Sequence, residues 1–332
     1  MSSIPTIRLA ARDWDFLTPL ILGDLKSERM DLKIDRVSEP NLPHVGESDT
    51  YGAAEASFSR YAQRRAAGDK TIVGIPNFIL RGFRHRCVIT RSDSPLESLA
   101  QLKGMKIGLT GWQDSGNTWT RAAARREGLE IEDATWFIGR LSEHNPVVDR
   151  LGSFARPGSI ESAPGQRPLM TLLGEGWLDA VFTPFMPVGF FEPEPRFRQV
   201  DRNFRLSEKA YFKDVGYVPG IHLVTVKSSL VAQYPWLPQE LSDLIDASRR
   251  MWRAKRERHA DATPWLVEEL IRSSQDLPQT WDESGLASNS KMINDFTNEL
   301  YEQGITSYRL QQSDLFIDEA TNVTAGAAVS VA

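Results

Sequence analysis

Apolar residues along the chain recur with two periods. In Thr6–Ala11, Ile7 and Leu9 alternate with Thr6, Arg8 and Ala10, the period-two pattern of a half-buried strand. Leu32–Val37, Thr71–Pro76, Arg86–Thr90, Lys106–Thr110, Thr135–Ile138, Ala180–Thr183 and Ile221–Val226 read as further strands. Helical spacing lies between them, at Ala53–Ala67 and Trp119–Glu127. Past Pro238, Leu241, Leu244, Ile245, Met251 and Trp252 share one face of an amphipathic helix, and Arg250, Arg253, Arg256 and Glu257 decorate the rest. A second helix starts near Thr263 and Pro264, an N-cap residue followed by proline at the first helical position. The tail Ile317–Ala332, rich in Ala, Thr, Val and Gly, reads as a loose strap or a disordered end. Strands alternating with helices predict an α/β protein with mostly parallel sheets.

Two segments echo each other. His85-Arg86-Cys87-Val88-Ile89-Thr90-Arg91-Ser92 and His222-Leu223-Val224-Thr225-Val226-Lys227-Ser228-Ser229 each run from a histidine through a β-rich stretch to a basic residue and serine. The surrounding sequence does not repeat, so they read as two strands crossing between lobes. Residues 1–92 with 224–332 then form lobe 1, and 93–223 form lobe 2, inserted into it. A length of 332 residues agrees with two such bodies. Loops at strand ends facing each other across a hinge make an interlobe cleft where ligands bind.

Composition narrows the function. With 39 Lys plus Arg against 44 Asp plus Glu, the net charge of −5 argues against a general nucleic-acid binder. The single cysteine, Cys87, excludes an internal disulfide and any multi-cysteine metal site. No apolar stretch approaches the ~18 residues that span a bilayer. The N-terminal residues show no basic segment leading into an apolar one, so the expected location is cytoplasmic. Neither glycine-rich nucleotide loop, no His-Glu-x-x-His and no Gly-x-Ser-x-Gly is present. His44, His85, His144, His222 and His259 lack close ligand spacing, so no metal site is expected.

Four clusters carry candidate chemistry. Gly108–Trp119 runs from a strand into a helix. Backbone amides at that helix start, with Ser115, Asn117 and Thr118 and the neighbouring Trp112, suit an anion, although Asp114 opposes one; the plainer reading is a capped loop. Arg81, Arg84 and Arg86 crowd six residues and can clamp carboxylates, or can form a solvated basic turn. In Glu55-Ala56-Ser57-Phe58-Ser59-Arg60-Tyr61 small polar residues open a helix, so Ser57 and Ser59 can donate to a ligand while Glu55 caps or acts as an acid/base; an ordinary amphipathic helix fits equally. His85 and His222 begin the two crossing strands, and His144 sits in a polar loop; a lone histidine is more often structural.

Together these residues resemble the 4,5-dihydroxyphthalate decarboxylase family. The match rests on Glu55-x-Ser57-Phe58-x-x-Tyr61, Ile75-Pro76, Arg81-x-Phe83-Arg84-His85, Leu102-Lys103-Gly104-x-Lys106-Ile107-Gly108, Gly216-Tyr217-Val218-Pro219-Gly220-Ile221-His222 and Tyr234-Pro235-Trp236, across roughly residues 5–255. The resemblance implies a two-lobed, type II periplasmic-binding-protein-like α/β fold. Arg150–Arg167, rich in Pro, Gly and Ser, departs from the pattern and reads as a flexible insertion. The implied activity is decarboxylation of a hydroxylated aromatic carboxylate, 4,5-dihydroxyphthalate to protocatechuate. Protonating the ring at the carboxylate-bearing carbon, helped by a para hydroxyl, lets CO2 leave as aromaticity returns. That route needs no cofactor: an acid, a group at the phenol and cations for the carboxylates suffice. His85 or His222 would move the proton. Arg81 and Arg84 would anchor carboxylates, Ser57, Asn117 and Thr118 would donate, and His144 or Glu55 would serve the phenol. The partner implied is a small aromatic carboxylate, with neither nucleic acid nor membrane, and a homo-oligomer stays open. The rival readings are a solute-binding protein delivering a carboxylate to an ABC transporter, and an enzyme of the same fold with other chemistry, such as dehydration of an enolpyruvyl ether or formation of a thiamine pyrimidine precursor.

Overall fold

The computed structural model describes residues 4–317, so the expected strap lies, but for Ile317, outside the described residues. The strands are β1 (Thr6–Ala11), β2 (Asp31–Arg36), β3 (Ala53–Ser57), β4 (Ile72–Arg81), β5 (Val88–Arg91), β6 (Lys106–Leu109), β7 (Thr135–Ile138), β8 (Ile160–Ser162), β9 (Ala180–Phe182), β10 (Phe197–Gln199) and β11 (Gly220–Lys227). They form two mixed sheets, in the orders β2-β1-β3-β11-β4 and β10-β5-β9-β6-β7-β8.

The chain divides into two compact α/β units. The first takes the chain up to Arg81, Gly220–Asn294 and the segment from Leu310; the second takes Gly82–Pro219 and Asp295–Arg309. The borders differ from those expected at 92/93 and 223/224. β5 pairs antiparallel with β9 and β10, so it belongs to the second sheet and the chain changes units before it. Asp295–Arg309 joins the second unit because Gln303 is bound into it. The Gln303 carbonyl accepts from Trp112 Nε1 at 3.0 Å and its side-chain oxygen accepts from Arg121 Nε at 2.6 Å.

In the first unit β1 lies parallel to both β2 and β3, and β11 lies antiparallel to β3 and β4. Ile7, Leu9, Ile75, Val224 and Val226 of this sheet share a core with Leu237, Leu241, Leu244 and Ile245 of the helix Leu237–Arg258. That helix follows the expected apolar face as far as Ile245, whereas Met251 is exposed. The next helix, Leu266–Asp276, begins two residues past Pro264.

The helix expected over Ala53–Ala67 splits in two. Ala53–Ser57 is β3, and only Phe58–Ala66 is helical. Ala53 and Ala54 are fully buried where β3 is flanked by β1 and β11. Small side chains fit that interior strand, and sheet pairing outweighs alanine's intrinsic helix preference. In the second unit β6 lies parallel to β7 and β9, and β7 parallel to β8. The Arg150–Arg167 stretch is not a plain insertion: it supplies β8, the sheet's edge strand. Among the described residues no helix is long and apolar enough to cross a membrane.

Candidate active site

In the first sheet the parallel strands β2, β1 and β3 change direction of progression between β1 and β3. Such a switch point, at the carboxyl ends of the strands, is where open α/β sheets take ligands. Here it brings together Arg12, just past the end of β1, and Glu55 and Ser57 near the end of β3. β11 adds His222, which stands opposite Ser57 in the ladder, while Glu55 stands opposite Val224. Side chains two apart on a strand, and those directly opposite, share a face. Glu55, Ser57 and His222 therefore lie on one face.

Glu55 is fully buried. Its Oε2 accepts from the Arg12 amide at 2.9 Å and from Trp14 Nε1 at 2.9 Å. Its Oε1 accepts from Arg12 Nε at 2.8 Å, and Arg12 Nη2 stands 2.7 Å away. His222 Nδ1 lies 2.7 Å from the same oxygen. Burial alone would raise the Glu55 carboxyl. The hydrogen bond and charge of His222, with the charge and amide of Arg12, overcome it and hold the group at about 2. Glu55 is thus a carboxylate at neutral pH.

An ionised oxygen 2.7 Å from Nδ1 puts the proton on that nitrogen. Arg12 Nη2 also approaches Nδ1, at 3.1 Å, but its shorter contact is to the carboxylate. In the neutral ring Nε2 then keeps the lone pair, and in the imidazolium Nε2 holds the proton that can be given away. This orientation of an imidazole by a buried acid is the arrangement that sets up proton transfer. The His222 side chain is 11% exposed and that of Arg12 14%, so the pair is sheltered but not sealed. The Arg12 guanidinium also lies 4.5 Å from the Trp14 ring centroid, which fixes its plane. A hollow lined by Arg12, Arg36 and Ser38 adjoins it.

The other expected residues are distributed differently. Arg81, in the first unit, is held by the Glu283 carbonyl at 3.0 Å and Asn289 Oδ1 at 2.6 Å, over the ring of Phe78. These contacts tie the end of β4 to the 283–289 segment. Burial, with the nearby Arg249 charge, lowers the guanidinium to about 9. Arg84, His85, Trp112, Ser115, Asn117, Thr118 and His144 all belong to the second unit. His85 sits in the turn His85–Cys87 and not on a strand. It is buried, with Nε2 3.3 Å from Glu127 Oε1 and its ring edge-on to Tyr211. Trp112 is a core residue, fully buried and edge-on to Trp136 at 5.9 Å, so it lines no open surface. Asn117 donates to the Gly111 carbonyl at 2.9 Å and Thr118 to the Asp114 carbonyl at 3.1 Å; both side chains brace the loop. Ser115 is buried at the start of the helix Ser115–Arg126. His144 is exposed on a loop.

The sequence pattern offered His144 or Glu55 for the phenol and left His85 and His222 as equals; it did not single out Arg12 and Trp14. The available signal was position: Arg12-Asp13-Trp14 follows the first strand directly, where such sheets place ligand-binding loops.

No family model matches the chain. It is 26% identical over 317 residues to the 4,5-dihydroxyphthalate decarboxylase of Comamonas testosteroni, covering 93% of this chain and 96% of that protein. It is 27% identical over 214 residues to the 4,5-dihydroxyphthalate decarboxylase of Pseudomonas putida, covering 64% of this chain and 83% of that one. Its fold is that of the periplasmic aliphatic sulphonate binding protein SsuA from Escherichia coli, with a TM-score of 0.58 at 13% identity, over 95% of this chain and 98% of that one. The desulfurization enzyme DSZB matches with a TM-score of 0.52 at 14% identity, over 97% of this chain and 99% of that one. One fold thus serves a binding protein and an enzyme, and the site has to decide between them.

Proposed function

We propose that the chain decarboxylates a hydroxylated aromatic carboxylate of the 4,5-dihydroxyphthalate type, with His222 as the proton donor. The observation that carries this reading is the buried Glu55 carboxylate, fixed by Arg12 and Trp14 and bound to His222 Nδ1. A site that only captured an anion would have no use for a buried acid orienting an imidazole. The similarity to two 4,5-dihydroxyphthalate decarboxylases supports the same reaction.

The imidazolium gives its Nε2 proton to the ring carbon that bears the carboxylate. The para hydroxyl gives its proton to water and feeds electron density into the ring, so the intermediate is a dienone, and the phenolate left when CO2 departs takes a proton back from water. The carbon–carboxylate bond then breaks, its electron pair restores aromaticity, and CO2 leaves. Overall a carboxylate and one proton become an aryl C–H and CO2. Glu55 holds the ring orientation and stabilises the imidazolium before transfer, and the Arg12 guanidinium meets a carboxylate of the substrate.

Solute capture is the second reading, favoured by the likeness to SsuA. Incubating the chain with 4,5-dihydroxyphthalate while monitoring CO2 separates the two. Turnover lost in His222→Gln supports the decarboxylase. Saturable binding with no CO2 from any hydroxylated benzoate or phthalate supports capture.

A further inference from the structure

In the first unit the helix Leu266–Asp276 is set apart by how little covers it. None of its 11 residues is buried. Leu266 and Leu270, one turn apart, are partly covered and mark the side that rests on the unit. The apolar band runs on past that side. Val267 is 50% exposed and Ile271 53%, four residues apart on one face, with Trp265 81% exposed just ahead of them. An apolar stripe ordinarily faces the core, and half of this one faces outward. Trp265 stands at the N-cap position with φ at +67°, in the left-handed region that bulky residues seldom occupy. Its backbone is strained there, yet its indole contributes little packing inside the unit.

The charges beside the strip fit a second copy of it. Glu268 and Arg272 each lie one residue past Val267 and Ile271, along the strip's border, and pair with each other within the helix. Both are more than half exposed, and a surface pair of that kind contributes little, so either charge can change partner. When two copies of a helix pack antiparallel about a two-fold axis, the same border of each faces the other with its order reversed. An axis at the level of Leu270 sets Glu268 opposite Arg272 of the second copy, and Arg272 opposite its Glu268. It also lays Val267 and Ile271 of both copies in one seam and brings Trp265 to Gln275 of the other copy. The strip is thus self-complementary, as an isologous contact requires. Parallel packing would set Glu268 against Glu268 and is disfavoured by charge.

We propose that two copies of the chain pair through the helix Leu266–Asp276, antiparallel about a two-fold axis, with Trp265, Val267 and Ile271 in the seam and Glu268 of each copy against Arg272 of the other. The contact lies wholly in the first unit and does not depend on what the chain catalyses. A helix of 11 residues is about 16 Å long. The contact is therefore at the small end of interfaces, and the dimer is expected to form as concentration rises and to dissociate on dilution.

Sedimentation velocity of the full chain, run from low to high micromolar concentration, tests this. The mean mass should move from one chain toward two as concentration rises. Ile271→Glu puts a charge in the seam and should hold the chain as a monomer across the range, with an unchanged far-UV spectrum because the position is exposed. Glu268→Arg should weaken the dimer by about 10-fold or more, since like charges then face each other at two places. Glu268→Arg combined with Arg272→Glu restores opposite charges and should restore the dimer; apolar adhesion without this register would not respond to the second change. Should the wild type form a larger even-numbered assembly, Ile271→Glu is expected to halve its mass. A wild-type chain that stays monomeric overturns the proposal and leaves the strip to residues 318–332 or to a different protein. A dimer unchanged by Ile271→Glu and Glu268→Arg, or one lost in both and not regained in the double variant, overturns it as well.

Discussion

Replacing Glu55 with Gln removes one charge and keeps the shape. The side chain is fully buried and is surrounded by donors: the Arg12 amide and guanidinium, Trp14 Nε1 and His222 Nδ1. Glutamine offers one acceptor oxygen where the carboxylate offers two, and its NH2 must face a donor. Two routes give the cost. Lowering the carboxyl from 4.5 to about 2 corresponds to about 3 kcal/mol, at ~1.4 kcal/mol per pH unit. Breaking a buried pair by removing one partner costs about 3–5 kcal/mol, because the other charge stays buried. The expected loss at pH 7 is therefore about 3 kcal/mol, or a melting temperature lower by about 6 °C at roughly 2 °C per kcal/mol. The sign with pH follows from a depressed carboxyl. Its stabilisation is fully present above 4.5 and is lost as pH falls toward about 2. Thermal scans of both proteins should show the full gap at neutral pH and a narrowing gap on acidification through that window. Equal melting temperatures at pH 7 would refute the reasoning, since they would mean that the carboxylate is not balancing Arg12.

Arg81→Met should lower the melting temperature, because Arg81 ties β4 to the Glu283 carbonyl and Asn289, and should leave the affinity for benzene-1,2-dicarboxylate unchanged; weaker binding in a stably folded variant would return Arg81 to the ligand site. The Cys87 thiol is buried and its burial raises it above an ordinary thiol, so it should resist a chromogenic disulfide reagent in the native state and react once denaturant is added; fast native labelling would contradict that placement. Gly220→Ala would set a Cβ 2.5 Å from the Phe78 ring and 2.9 Å from Met292 Cε, and overpacking of that kind costs about 1–3 kcal/mol, read as a lower denaturation midpoint.

The fold was largely legible because most of its strands are short apolar runs set between helical segments. Thr6–Ala11 and Thr135–Ile138 match β1 and β7 residue for residue. β3 was not legible. Ala53-Ala54-Glu55-Ala56-Ser57 carries helix-favouring residues, and only its place between β1 and β11 makes it a strand. That miss hid the site's geometry, because on a helix Glu55 and Ser57 would diverge, whereas on a strand they share a face with His222. The loop at 110–118 misled in a second way. Its polar residues resemble a ligand-binding set, but Asn117 and Thr118 are turned onto the loop's own carbonyls. Arg84 stood out only as one of three arginines within six residues. What distinguishes it, burial without an acid, is a tertiary fact that no local pattern reports.

The measurement that tests the account most directly is decarboxylation of 4,5-dihydroxyphthalate in D2O, followed by NMR of the aromatic product. The wild-type chain should release CO2 and place one deuterium at the carbon that lost its carboxylate, and His222→Gln should slow this by about 10²- to 10⁴-fold, the usual reach of a general acid. Turnover by His222→Gln at the wild-type rate, or a wild-type chain that binds the compound and leaves it intact, would contradict the account.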